Sequence, residues 1–159
     1  MRICHIAICV SNWERSLRFY HDQLGFRFVN AFELKGAYAE ALHGLAGAVI
    51  HTASLEREGV RIELREFAIP QRSVPAGPGR DGAGGGIAFD RPGLSHLSLR
   101  VADLDAALAE LAAARVEILE SHQAEAAEGE LGPGSPARRA VFIRDPDGTP
   151  IELVSTRGD

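Results

Sequence analysis

Apolar and polar positions alternate along the opening MRICHIAICV, so that Ile6, Ile8 and Val10 fall on one side of an extended chain and His5, Ala7 and Cys9 on the other. The period then changes. In SNWERSLRFYHDQLG, Trp13, Leu17, Tyr20 and Leu24 share one helical face, Ser11 and Glu14 have capping-box spacing, and Gly25 supplies a stop. Strand-like FRFVNAFEL, AVIHTASL and GVRIELREF follow, which makes the first stretch strand, helix, strand, strand, strand. Residues 70–93 are rich in Pro and Gly and have no usable period, so they read as a linker or a functional loop. The pattern then restarts: strand GLSHLSLRV, helix ADLDAALAELAAAR with Asp103 at its start, strand VEILES, a Gly/Pro-containing loop over 122–138, strand RRAVFIRD, turn PDG and strand TPIELVS. The chain thus divides into a first βαβββ module over 1–69, a linker over 70–93 and a second module over 94–157, forming one compact domain.

The two halves also align residue by residue. HIAICV at 5–10 matches HLSLRV at 96–101, and RIELRE around Glu63 matches PIELVS around Glu152, with His-to-Glu intervals of 58 and 56 residues. His5 is therefore half of a repeated pair and not an isolated strand histidine. Alternation gives each of the four strands an aliphatic face and a second face that carries one His or Glu: His5 against Ile6, Glu63 against Ile62 and Leu64, His96 against Leu97 and Leu99, and Glu152 against Ile151 and Leu153. Glu63 between Arg61 and Arg65 could be a solvated ion-pair ladder. Four such strands, arranged as His…Glu in each repeat, favour a shared metal site, because two carboxylates neutralise a divalent cation and two neutral imidazoles complete the set. Imidazole and oxygen ligands without thiolate suit Ni, Zn, Co, Mn or Fe(II).

Composition adds exclusions. The chain has 159 residues, 45% hydrophobic and 25% charged, with a net charge of −5 and no basic run, so nothing marks a nucleic-acid partner. No apolar run spans a bilayer, and the N-terminus opens a strand pattern, not a leader, so a cytoplasmic protein without a membrane partner is expected. Cys4 and Cys9, five apart on one strand, face opposite ways and read as buried or half-buried free thiols. His21, His43, His51 and His122 read as solvated or structural, although His51, on the third strand, could reach the face that carries the His and Glu residues; it has no counterpart in the second repeat.

HIAICVSNWERSLRFYHDQLGF, GLSHLSLRVADLDAALAEL and VFIRDPDGTPIELVS, taken in order, resemble the vicinal oxygen chelate superfamily of glyoxalase I, methylmalonyl-CoA epimerase, extradiol dioxygenases and bleomycin- and fosfomycin-resistance proteins. The resemblance implies an α+β fold in which two βαβββ modules form an open eight-stranded, barrel-like sheet around a metal cavity with helices outside. It implies a divalent ion held by His5, Glu63, His96 and Glu152. It also implies a metal-dependent isomerase or lyase of glyoxalase I or methylmalonyl-CoA epimerase type, with proton transfer beside a polarised carbonyl. Glu152 is the first choice for the base and Glu63 the second. Arg65 and Arg100, on the ligand-bearing faces, are candidates to bind a small anionic substrate. Cys9 and the REF after Glu63 depart from glyoxalase I, and Ser95 before His96 departs from the epimerases. The alternatives are a ring-cleaving dioxygenase, against which Glu63 counts, and a non-catalytic drug-binding protein, which typically lacks the ligands. Homodimerisation is implied by analogy, with ALAELAAA an apolar helix that could serve.

Overall fold

The structure, a computed structural model, describes residues 2–69 and 93–156. It divides into two compact units, Met1–Gly77 and Pro78–Asp159. All but the last residue of the 70–93 linker lies outside the described residues.

The first unit runs β1 (Ile6–Cys9), α1 (Trp13–Arg18), a π-helical segment (Phe19–Gln23), β2 (Arg27–Leu34), α2 (Gly36–His43), β3 (Val49–Arg57) and β4 (Val60–Ala68). Its sheet has the order β1-β4-β3-β2, with β1 parallel to β4 and the other pairs antiparallel. The second unit runs β5 (Leu97–Arg100), α3 (Leu104–Ala113), β6 (Ile118–Ala126), β7 (Arg138–Arg144) and β8 (Pro150–Thr156). Its order, β5-β8-β7-β6, repeats the first, with β5 parallel to β8. The α+β class and the doubled βαβββ order are therefore as the sequence implied.

Burial follows the alternation. Ile62 and Leu64 are fully buried, as are their β3 neighbours Leu55 and Ala53, and Ile151 and Leu153 repeat this on β8. The α1 backbone packs on β3 and β4, and its continuation buries Phe19 and Tyr20. Tyr20 meets Phe19 and Phe26 edge-on, with centroids 5.2 and 5.9 Å away, a favourable aromatic geometry.

The structure corrects several local expectations. Asn12, not Ser11, caps α1: its backbone is extended and its Oδ1 accepts from Arg15 N at 2.7 Å. An amide oxygen there satisfies a free N–H of the first turn, so Asn12→Ala should cost about 1 kcal/mol of stability in urea unfolding. Asp103 does the same for α3, accepting from Ala106 N at 2.9 Å, as its position predicted. A helix in KGAYAEALHG was not anticipated. Its signal was present in the run of strong helix formers Ala37, Ala39, Glu40, Ala41 and Leu42, ended by Gly44 at φ +67°, which a Cβ would strain. β6 runs to Ala126 and so takes in the start of the 122–138 loop, because Gln123 to Ala126 pair with Arg138 to Val141 beyond a register shift. Cys4 and Cys9 are free, but exposed. DPDG is a turn as read: Asp145 Oδ1 accepts from Asp147 N and Thr149 N.

Candidate functional site

In the first unit, register places the chemistry on one face. Ala7 stands beside Glu63 and Cys9 beside Arg65 on the β1 side, while Ser54 and Thr52 stand opposite the same two residues on β3. His5, just before β1, directs Nε2 to within 3.4 Å of Glu63 Oε2. Glu63 is only 7% exposed, and a carboxylate so placed needs a counter-charge. Arg65 provides it, with Nη2 2.6 Å and Nε 3.1 Å from Glu63 Oε2, while Ser54 Oγ donates to Oε1 at 3.4 Å.

The guanidinium touches more than Glu63. Nη2 lies 3.3 Å from His5 Nε2, and Nη1 lies 3.4 Å from His43 Nε2. His43 ends α2 and its Nδ1 is 3.0 Å from the Ala39 carbonyl, an acceptor only, so Nδ1 carries the proton and Nε2 offers its lone pair to Arg65. The ring also packs edge-on against Phe67, with centroids 5.5 Å apart. His43, read from sequence as solvated or structural, is thus part of this cluster. Its place here follows from α2, whose last residue it is.

The second unit repeats the pair in the same register. Ser98 stands beside Glu152 on β5, and Phe142 stands opposite it on β7. His96, just before β5, has Nε2 3.9 Å from Glu152 Oε2, with Ser95 Oγ 2.8 Å from its Nδ1 and Phe142 edge-on to the ring at 5.2 Å. Ser98 Oγ donates to Glu152 Oε2 at 2.5 Å, and Arg138 Nη2 lies 3.4 Å from Oε1. Arg100 is exposed, beside Val154 in the register, where the first unit has Cys9 beside Arg65.

Each unit therefore contributes one imidazole nitrogen facing one carboxylate oxygen. Among the described residues, no three His, Cys, Asp or Glu side chains gather as a metal-binding group within either unit. The pairs still suit an ion. Ligand atoms about 2.1 Å from a cation and at right angles stand about 3 Å apart, so 3.4 and 3.9 Å need only small rotamer adjustments. In the first unit a guanidinium already stands as the cation between His5 and Glu63.

Other candidates fall elsewhere. His51 pairs with Glu66 in the β3–β4 register and so lies on the opposite face from Glu63, which removes it from the cluster. Its Nδ1 is 3.6 Å from Glu33, whose carboxyl is held below its usual range by the hydrogen bond and charge of Lys35. A cleft of about 710 Å³ in the second unit, not foreseen, opens between the start of α3 and the β7–β8 strands, lined by Asp103, Asp105, Arg139, Thr156 and Arg138, the last of which also reaches Glu152.

The description of the Glyoxalase/Bleomycin resistance protein/Dioxygenase superfamily matches residues 2–153. The chain belongs to this superfamily. It is 33% identical over 152 residues to the uncharacterized protein YaeR of Escherichia coli, covering 96% of this chain and 94% of that one. Its fold is similar to that of a glyoxalase family protein from Bacillus cereus, with a TM-score of 0.75 and 19% identity over 99% and 95% of the two chains. It is also similar to the fosfomycin resistance protein FosX of Listeria monocytogenes, crystallised with Mn(II) and sulfate, with a TM-score of 0.55 and 11% identity over 99% and 93%. Membership accounts for the doubled βαβββ order. No helix among the described residues is long and apolar enough to cross a membrane.

Proposed function

We propose that this superfamily member is a divalent-metal-dependent isomerase or lyase, of glyoxalase I or methylmalonyl-CoA epimerase type, with His5, Glu63, His96 and Glu152 as ligands to one ion. The observation that carries the reading is the His–Glu pair set in matching register in both units, with the His just before β1 or β5 and the Glu on the adjacent parallel strand β4 or β8. Mn(II) in the FosX structure is consistent with a divalent ion. When bound, such an ion polarises a substrate carbonyl and acidifies the neighbouring C–H.

The protein's own groups then move and orient. Glu152 takes the proton and returns it at a neighbouring position. Its carboxylate meets no paired guanidinium fork among the described residues: Arg138 stands 3.4 Å away, whereas Arg65 grips Glu63 Oε2 with two nitrogens at 2.6 and 3.1 Å. Ser98, donating to Glu152, keeps the carboxylate aimed. Arg100 and Arg65 are assigned to an anionic group of a small substrate, and a homodimer is the assembly this reading takes from the superfamily.

The test begins with chelator-treated protein titrated with Ni, Zn, Co, Mn or Fe(II). One ion per chain should bind, and at 100 times its dissociation constant it should stabilise the fold by about 2.7 kcal/mol. His5→Ala and His96→Ala should each abolish that stabilisation. Two independent ions per chain, or none, would overturn the shared site. Loaded protein should exchange the hydrogen next to the carbonyl of a 2-hydroxyacyl or methylmalonyl thioester with D₂O.

A further inference from the structure

We propose that Arg65 is a built-in cationic plug of the first ligand pair: its guanidinium occupies the His5–Glu63 corner while no ion is there and must leave when a divalent ion enters. The inference rests on the metal reading given above and adds a competitor to it.

The geometry makes the two cations mutually exclusive. Arg65 Nη2 lies 2.6 Å from Glu63 Oε2 and 3.3 Å from His5 Nε2, and those two atoms are 3.4 Å apart. An ion about 2.1 Å from both donors, on that side, would stand in the wedge the nitrogen fills. Charge adds to the overlap, since a guanidinium and a divalent cation on the same carboxylate oxygen repel. The plug also explains how a carboxylate only 7% exposed is tolerated before loading.

The structure provides somewhere for the guanidinium to go. His43, fixed by its bond to the Ala39 carbonyl, offers Nε2 to Arg65 Nη1 at 3.4 Å without involving Glu63. Thr52, opposite Arg65 in the register, is 1% exposed, and its Oγ1 has no hydrogen-bond partner among the described residues. A guanidinium turning away from Glu63 keeps His43 Nε2, and its register neighbour Thr52 carries a buried hydroxyl that still needs a partner. The second unit lacks the device at this position, because Val154 stands where the first unit has Arg65. Its departure also makes Arg65 available to the anionic group assigned to it above.

The plug lowers apparent affinity by the fraction of time the corner is open. The experiment uses the full chain, stripped by chelator and titrated with Co²⁺ and Mn²⁺ by calorimetry, with melting temperature read in parallel. Arg65→Gln should melt lower than wild type without metal yet bind both ions about tenfold more tightly, the expected gain if the corner is open about a tenth of the time. Arg65→Lys, which keeps the charge but loses the paired fork, carries the comparison independently and should also bind more tightly. Methylguanidinium added to metal-free Arg65→Gly should raise its melting temperature and compete with Co²⁺, and should do neither in wild type. If wild type binds Co²⁺ but the Gln and Lys variants bind it no more tightly, or if methylguanidinium fails to compete, the plug is overturned and the metal site stands. If wild type binds none of Ni, Zn, Co, Mn or Fe(II), both readings fall.

Discussion

Glu152→Gln should lower proton transfer by about 10²–10⁴-fold, the usual contribution of a positioned general base, while the protein stays folded. The amide matches the carboxylate in shape, so Ser98 Oγ and Arg138 keep a neighbour, but it cannot accept a proton at neutral pH. The readout is deuterium incorporation next to the carbonyl, followed by mass spectrometry, with metal content measured on the same sample. Glu63→Gln is the informative contrast. It removes the partner of Arg65, so its main consequences should be in metal-free stability and ion affinity. Full exchange by a Glu152→Gln protein that still carries its ion would remove Glu152 from the role of base.

Ile62→Ala should destabilise the fold by about 2–5 kcal/mol, as expected for a large-to-small change in a packed core. Ile62 is fully buried, lies beside Ile6 in the parallel β1–β4 register, and opposes Leu55 on β3. The next residue is Glu63, on the other face, so the cavity forms beneath the strand that carries the buried carboxylate. Urea unfolding with an unchanged slope would show the loss as stability alone. A loss below about 1 kcal/mol would mean that this face of β4 is not the core.

Much of this was legible in the order of residues. Alternation on four strands assigned Ile62, Leu64, Ile151 and Leu153 to the interior and placed Glu63 and Glu152 on the other face, because successive strand side chains must point oppositely. Asp103 was readable as a helix start for an equally local reason. The capping-box spacing of Ser11 to Glu14 points to Ser11, but its neighbour Asn12 is an equally good capping type, and only the backbone course shows which one is extended where the helix begins. His51 was misplaced for want of a register: counted along β3 alone, its face is ambiguous, and pairing with Glu66 decides it. α2 and with it His43 were lost between two strands.

What the sequence by itself determined is the duplicated βαβββ order and the two His–Glu pairs, because both are written in local periodicity and in a direct repeat. What only the tertiary structure decided is which other groups meet those pairs. Arg65 lies two residues from Glu63 and its fork reaching the carboxylate is nearly local, but its contacts with His5 and His43 span 60 and 22 residues. Such contacts depend on strand register, on a helix whose end brings His43 to Arg65, and on the need of a buried charge for a counter-charge, none of which a linear pattern records.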